Sequence, residues 1–165
     1  PAAALQVDVP EGVLVGGADA ALAVATELRL HGVRIGLDDF GTGASSLGHI
    51  RRVPFNCMKL DRTLMAELYS DPWAQGVTAA VLAMARAMQI RSVADGVDDP
   101  ATLEMLAALG CDEVQGLHLG PPMKPKDFED WLDRGGARHL RHRHADASGT
   151  RSDLPENDVM QWANG

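Results

Sequence analysis

The chain has little cysteine, no excess of basic charge and no long apolar run, and each shortage removes a class of protein. Its two cysteines, Cys57 and Cys111, lack CxxC spacing, so neither a disulfide framework nor a thiolate zinc site is indicated. A reducing cytoplasm is the expected setting. The formal net charge is −8, whereas a protein that grips a nucleic-acid polymer needs a basic surface to displace counterions from the phosphates. A small phosphorylated ligand stays open, provided that a metal ion or a few local cations meet it. No apolar stretch approaches the roughly 18 to 20 residues that span a bilayer, and no signal-peptide pattern opens the sequence. The first residue is Pro1 rather than Met, and a piece of something longer is expected.

What is present is ordinary for one globular domain: 165 residues, 45% hydrophobic and 23% charged. Short apolar runs alternate with helical patterns. Strands are predicted at 5–9, 33–37, 57–60, 91–94 and 113–117, and helices at 18–30, 46–51, 72–88, 100–109 and 125–132. Asp19 or the glycine pair before it is the expected start of the first helix, and Gly32 and Gly110 sit where helix ends favour a left-handed residue. In the helix after Pro72, Val77, Val81 and Met84 share one face and read as core. Strand and helix units of about 25 to 30 residues imply parallel strands joined by crossovers, hence an α/β fold of about five strands. The domain is expected over 1–134. Residues 135–165 lack periodicity, are rich in Gly, Arg, His and Asp, and are expected to form a disordered tail. Their clustered histidines are read as solvated.

In parallel α/β folds ligands bind at the carboxyl ends of the strands, so acids there carry more weight than acids on helices. Asp8 lies near the end of the first strand with Glu11 just past it, and 33-VRIGLDDFGTG-43 ends the second in Asp38 and Asp39. The third delivers Lys59 and Asp61, the fourth Asp95 and then Asp98, and the fifth Gln115. Such an oxygen-rich rim suits Mg²⁺ or Mn²⁺, which polarise a phosphoryl oxygen and acidify a bound water; the lysine can offset phosphate charge. The other reading of any one of these acids is a polar turn. Asp99, before Pro100, is read as a helix N-cap, and Asp112 and Glu113 as a strand-entry turn. His31, His49 and His118 have no partner spacing.

The blocks GLDDFGTGASSLGHIRRVPFNCMKLDR and SVADGVDDPATLEMLAALGCDEVQGLHLGPPM, in this order, resemble the EAL family of bacterial cyclic-di-GMP phosphodiesterases. The resemblance implies part of a (β/α) TIM-type barrel that opens cyclic di-GMP to linear pGpG with two Mg²⁺ or Mn²⁺ ions. By it Asp38 is a metal ligand, Asp39 lies at the same metal site, Lys59 stands near the catalytic water, and Gln115 matches the glutamine of the VQG motif. Glu11 resembles the acid that steadies the loop after Asp39, and 40–47 the loop that closes near the site and helps dimer contacts.

Asp8, Asp95 and Asp98 stand where the family has glutamates: Asp8 at a metal-ligand position, Asp95 at the essential acid beside the water, Asp98 at the later acid of the same motif. Each withdraws its carboxylate by one carbon–carbon bond, about 1.5 Å. The segment 117-LHLGPPM-123 is less polar than its family counterpart. The signature that names the family, and its asparagine motif, are expected before Pro1. A TIM barrel needs eight strands in about 250 residues, and five are predicted here. Little activity is therefore expected of this chain alone. The alternative reading is a non-catalytic module that binds cyclic di-GMP or a protein partner.

Overall fold

The computed structural model describes residues 1–41 and 47–134. The predicted loop 40–47 and tail 135–165 fall largely or wholly outside the described residues. The chain divides into two units, Pro1–Leu119 and Gly120–Gly165.

In the first unit five strands, β1 (Gln6–Pro10), β2 (Arg34–Phe40), β3 (Cys57–Leu60), β4 (Arg91–Asp95) and β5 (Glu113–Gln115), form one sheet in sequential order. All four pairings are parallel. Between them lie α1 (Val13–Leu30), α2 (Leu47–Ile50), α3 (Arg62–Glu67), α4 (Pro72–Ala87) and α5 (Pro100–Leu109). One turn of 3₁₀ helix, Ala2–Ala4, precedes β1. The predicted α/β class and all five strands are present.

Alternation along each strand sends Val7, Val9, Ile35, Leu37, Met58, Leu60, Ala94 and Val114 into the hydrophobic cluster. From the helices that cluster receives Leu14, Leu64, Met65, Val81, Leu82 and Leu106. Val77 and Met84 pack against it with Val81, as the helical period predicts.

Aspartates start three of the helices. Asp61 accepts the Thr63 N–H at 2.8 Å, Asp71 that of Trp73 at 2.9 Å and Asp99 that of Thr102 at 2.9 Å. Pro72 and Pro100 follow their caps, where the absent N–H costs nothing. Gly110 ends α5 at φ 75° and Gly32 follows α1 at φ 84°.

Three boundaries differ from the sequence prediction by more than one residue. The first helix begins at Val13 and is interrupted at Gly17, which leaves helical geometry (φ −136°, ψ 21°), so only its second segment is the predicted one. β2 runs on to Phe40 because Phe40 is a core side chain and Asp39 takes a left-handed φ of 55° at a register shift between Leu37 and Phe40. β5 stops at Gln115, since Gly116 crosses so close to Val97 that a Cβ there would lie 2.2 Å from its carbonyl oxygen. The short α3 has no counterpart in the predicted elements.

The second unit's described part contains α6 (Pro125–Asp133), where Phe128 and Trp131 stack with ring centroids 5.9 Å apart.

Candidate functional site

The same alternation that buries the apolar side chains turns Gln6, Asp8, Asp38, Lys59, Asp95 and Gln115 to the opposite face of the sheet. Lys59 is the centre of this face. Its ammonium lies 3.2 Å from Asp8 Oδ2 and 3.3 Å from Asp38 Oδ1, although the residue is only 5% exposed. Burial pulls the amine's pKa down, but the carboxylates of Asp38 and Asp8 outweigh it and hold the pKa above the usual lysine value.

Asp38 Oδ1 also accepts the Asp39 N–H at 3.0 Å, and Asp39 itself takes a left-handed φ of 55°. Loss of hydration, then the charges of Asp38 and Asp61, push the Asp39 carboxyl above its ordinary value, against the pull of Lys59. Asp95 ends β4 opposite Gln115, which ends β5, and its charge also bears on Asp39.

The supporting residues sit where the next loops start. Glu11, 3% exposed, accepts the Gly41 N–H at 3.1 Å, and its own N–H donates to the Asp38 carbonyl at 2.8 Å. It thus ties the turn after β1 to both sides of the Asp38–Asp39 corner. Asp98 Oδ1 accepts the Leu117 N–H at 2.9 Å and joins the loops after β4 and β5. The backbone there is tight: Gly96 has φ 82°, and a Cβ on it would lie 2.6 Å from Arg62 Cβ. Asp61, read from sequence as part of the rim, caps α3. Asp112, as its strand-entry reading anticipates, takes both the N–H (2.8 Å) and hydroxyl (2.7 Å) of Ser92.

Two residues that sequence reading did not single out belong to the cluster. Gln6 Nε2 donates to Asp8 Oδ1 at 2.8 Å, and Gly36 is the cross-strand partner of Asp8. The available signal was spacing: Gln6 precedes Asp8 by two on a strand and must share its face.

Asp8 and Asp38 converge on one position that an ammonium now fills, so their hard oxygens fit a divalent cation there. Among the described residues no group of three His, Cys, Asp or Glu has the spacing to hold a metal, so further ligands would be water or groups outside this set.

A parallel sheet with helices on one face and a carboxylate–lysine cluster on the other defines an α/β barrel-type domain with a candidate centre for phosphate chemistry. A family model described as the EAL domain matches residues 1–122, and the chain belongs to that family. It is 40% identical over 131 residues to a cyclic di-GMP phosphodiesterase of Pseudomonas aeruginosa, covering 79% of this chain and 22% of that protein. The chain thus spans about a fifth of that relative's length. Among solved structures, the MucR phosphodiesterase in complex with c-di-GMP superposes with TM-score 0.73 at 37% identity, over 76% of this chain and 51% of that one. Klebsiella pneumoniae BlrP1, solved with manganese and cyclic di-GMP, gives TM-score 0.69 at 26% identity, over 73% and 31%. The partial TIM-type barrel implied by the sequence resemblance agrees with these neighbours.

Proposed function

We propose that the protein hydrolyses cyclic di-GMP to linear pGpG in a reaction that depends on Mg²⁺ or Mn²⁺. The observation that carries this reading is the Asp8–Lys59–Asp38 cluster, in a chain that belongs to the EAL family. When bound, a divalent cation would polarise a phosphoryl oxygen and lower the pKa of a water. Asp8 and Asp38 would hold it, with Asp39 completing the acidic corner. Lys59 orients the attacking water and offsets phosphate charge, and Asp95 stands as the acid beside that water. Glu11 fixes the loop after β2, Asp98 the loop after β4, and Gln115 faces the substrate from β5. A homodimer and a cytoplasmic location belong to the same reading. No helix among the described residues is long and apolar enough to cross a membrane.

Incubation of the full-length protein with cyclic di-GMP and Mn²⁺ tests the reading. An absence of pGpG even at high enzyme concentration would refute it. Binding of the nucleotide without turnover would favour the non-catalytic module, for which the short carboxylates of Asp8, Asp95 and Asp98 speak.

A further inference from the structure

An aspartate carboxylate still swings about two side-chain torsions, and a metal ligand works best when neighbouring groups fix its direction. Asp8 is fixed from three sides. Gln6 Nε2 donates to Oδ1 at 2.8 Å, and in the metal-free protein Lys59 Nζ donates to Oδ2 at 3.2 Å from the position a cation would take. The third side is empty space on β2. Gly36 is the register partner of Asp8, and a Cβ at Gly36 would lie 2.2 Å from Asp8 Oδ1 and 3.1 Å from its Cγ. The φ of Gly36 lies outside the left-handed region, so the backbone there does not call for glycine. What calls for glycine is the carboxylate lying across the strand.

An ionised carboxylate only accepts hydrogen bonds, so the Gln6 amide must present its nitrogen to Asp8. The nitrogen that faces Asp8 cannot ligate a cation, so on this side the amide acts through its hydrogen bond to the carboxylate. We propose that Gln6 and Gly36 are positioning residues that set the Asp8 carboxylate at the metal site, Gln6 by a hydrogen bond and Gly36 by making room. The proposal rests on the reading of Asp8 as a metal ligand.

The test is a pair of double-mutant cycles in the full-length protein. Gln6→Met, close in shape but without a donor, weakens Mn²⁺ binding in calorimetry by about 10- to 100-fold, the usual effect of losing a group that orients a metal ligand. Its melting temperature stays near that of the parent, and in an Asp8→Ala background it costs nothing further. Unchanged Mn²⁺ affinity, or an equal loss in the Asp8→Ala background, would overturn the role of Gln6.

Gly36→Ala is read by thermal melting in EDTA. It lowers the melting temperature of the parent and does so much less in Asp8→Ala, where the clashing carboxylate is gone and a 3.0 Å approach to Cys57 Sγ remains. An equal loss in both backgrounds would overturn the role of Gly36. The melting cycle needs no metal. A failure of every variant and of the parent to bind Mn²⁺ would therefore remove the metal reading alone, and the melts would still decide whether Gly36 makes room for Asp8.

Discussion

Replacing Lys59 with Met should cost the metal-free protein about 3 kcal/mol, toward the lower end of what breaking a buried ion pair costs. The size follows from the cluster. Asp8 and Asp38 both touch one ammonium, at 3.2 and 3.3 Å, so without it their charges stand no more than about 6.5 Å apart. At an effective dielectric constant of about 20 their repulsion is about 2.5 kcal/mol or more. Both side chains keep some contact with water, 23% and 27% exposed, which moderates the loss. For a chain of this size about 3 kcal/mol lowers the melting temperature by about 6 to 12 °C. Thermal melts in EDTA measure this, and millimolar Mn²⁺ should return part of it, because the cation takes the place of the ammonium. The pH dependence has a definite sign. The Lys59 pKa is raised above 10.5, so its contribution is complete below that value and fades as pH rises through the folded pKa. Lys59→Met should therefore lack that alkaline loss. A cost below about 0.5 kcal/mol, the range of ordinary surface substitutions, would refute the reasoning. So would an equal cost in an Asp8→Asn, Asp38→Asn background, where the ammonium has no charged partner to lose.

Three further outcomes are expected. Burial raises the thiols of Cys57 and Cys111 to about 11, so both should resist a thiol reagent at pH 8 until the protein unfolds; rapid labelling of the native protein would contradict their burial. Glu11→Ala removes the acceptor of the Gly41 N–H and should cost about 1 to 3 kcal/mol in denaturant melts, with Glu11→Gln losing less because it keeps an acceptor oxygen. Gly96→Ala combines a positive φ with a 2.6 Å clash and should cost about 2 kcal/mol or more in thermal melts while lowering turnover, because it displaces the residue that follows Asp95; melting and turnover at the level of the parent would contradict that account.

The parts of the fold legible in sequence are those with local chemical signatures. The Asp99–Pro100 pair marked a helix start, and Gly110 marked an end, because capping needs only neighbours in sequence. Helix α3 escaped because six residues are too few to show a period, and its cap, Asp61, was already assigned to the rim. The doubled acid at Asp38–Asp39 looked like the end of β2. A left-handed aspartate lets the strand carry Phe40 on to the core, and sequence does not display that turn. The acids, Lys59 and Gln115 were legible as a set. Which of them meet was not, because the Asp8–Lys59 contact joins residues 51 apart and depends on register and on a glycine between them.

The most direct test of the central claim is the release of pGpG from cyclic di-GMP by the full-length protein with Mn²⁺ and with Mg²⁺, beside the same protein carrying Asp38→Ala. The account predicts metal-dependent turnover that the substitution abolishes. Turnover that survives both EDTA and Asp38→Ala would contradict it, because the carboxylate pair around Lys59 would then not be the reacting centre.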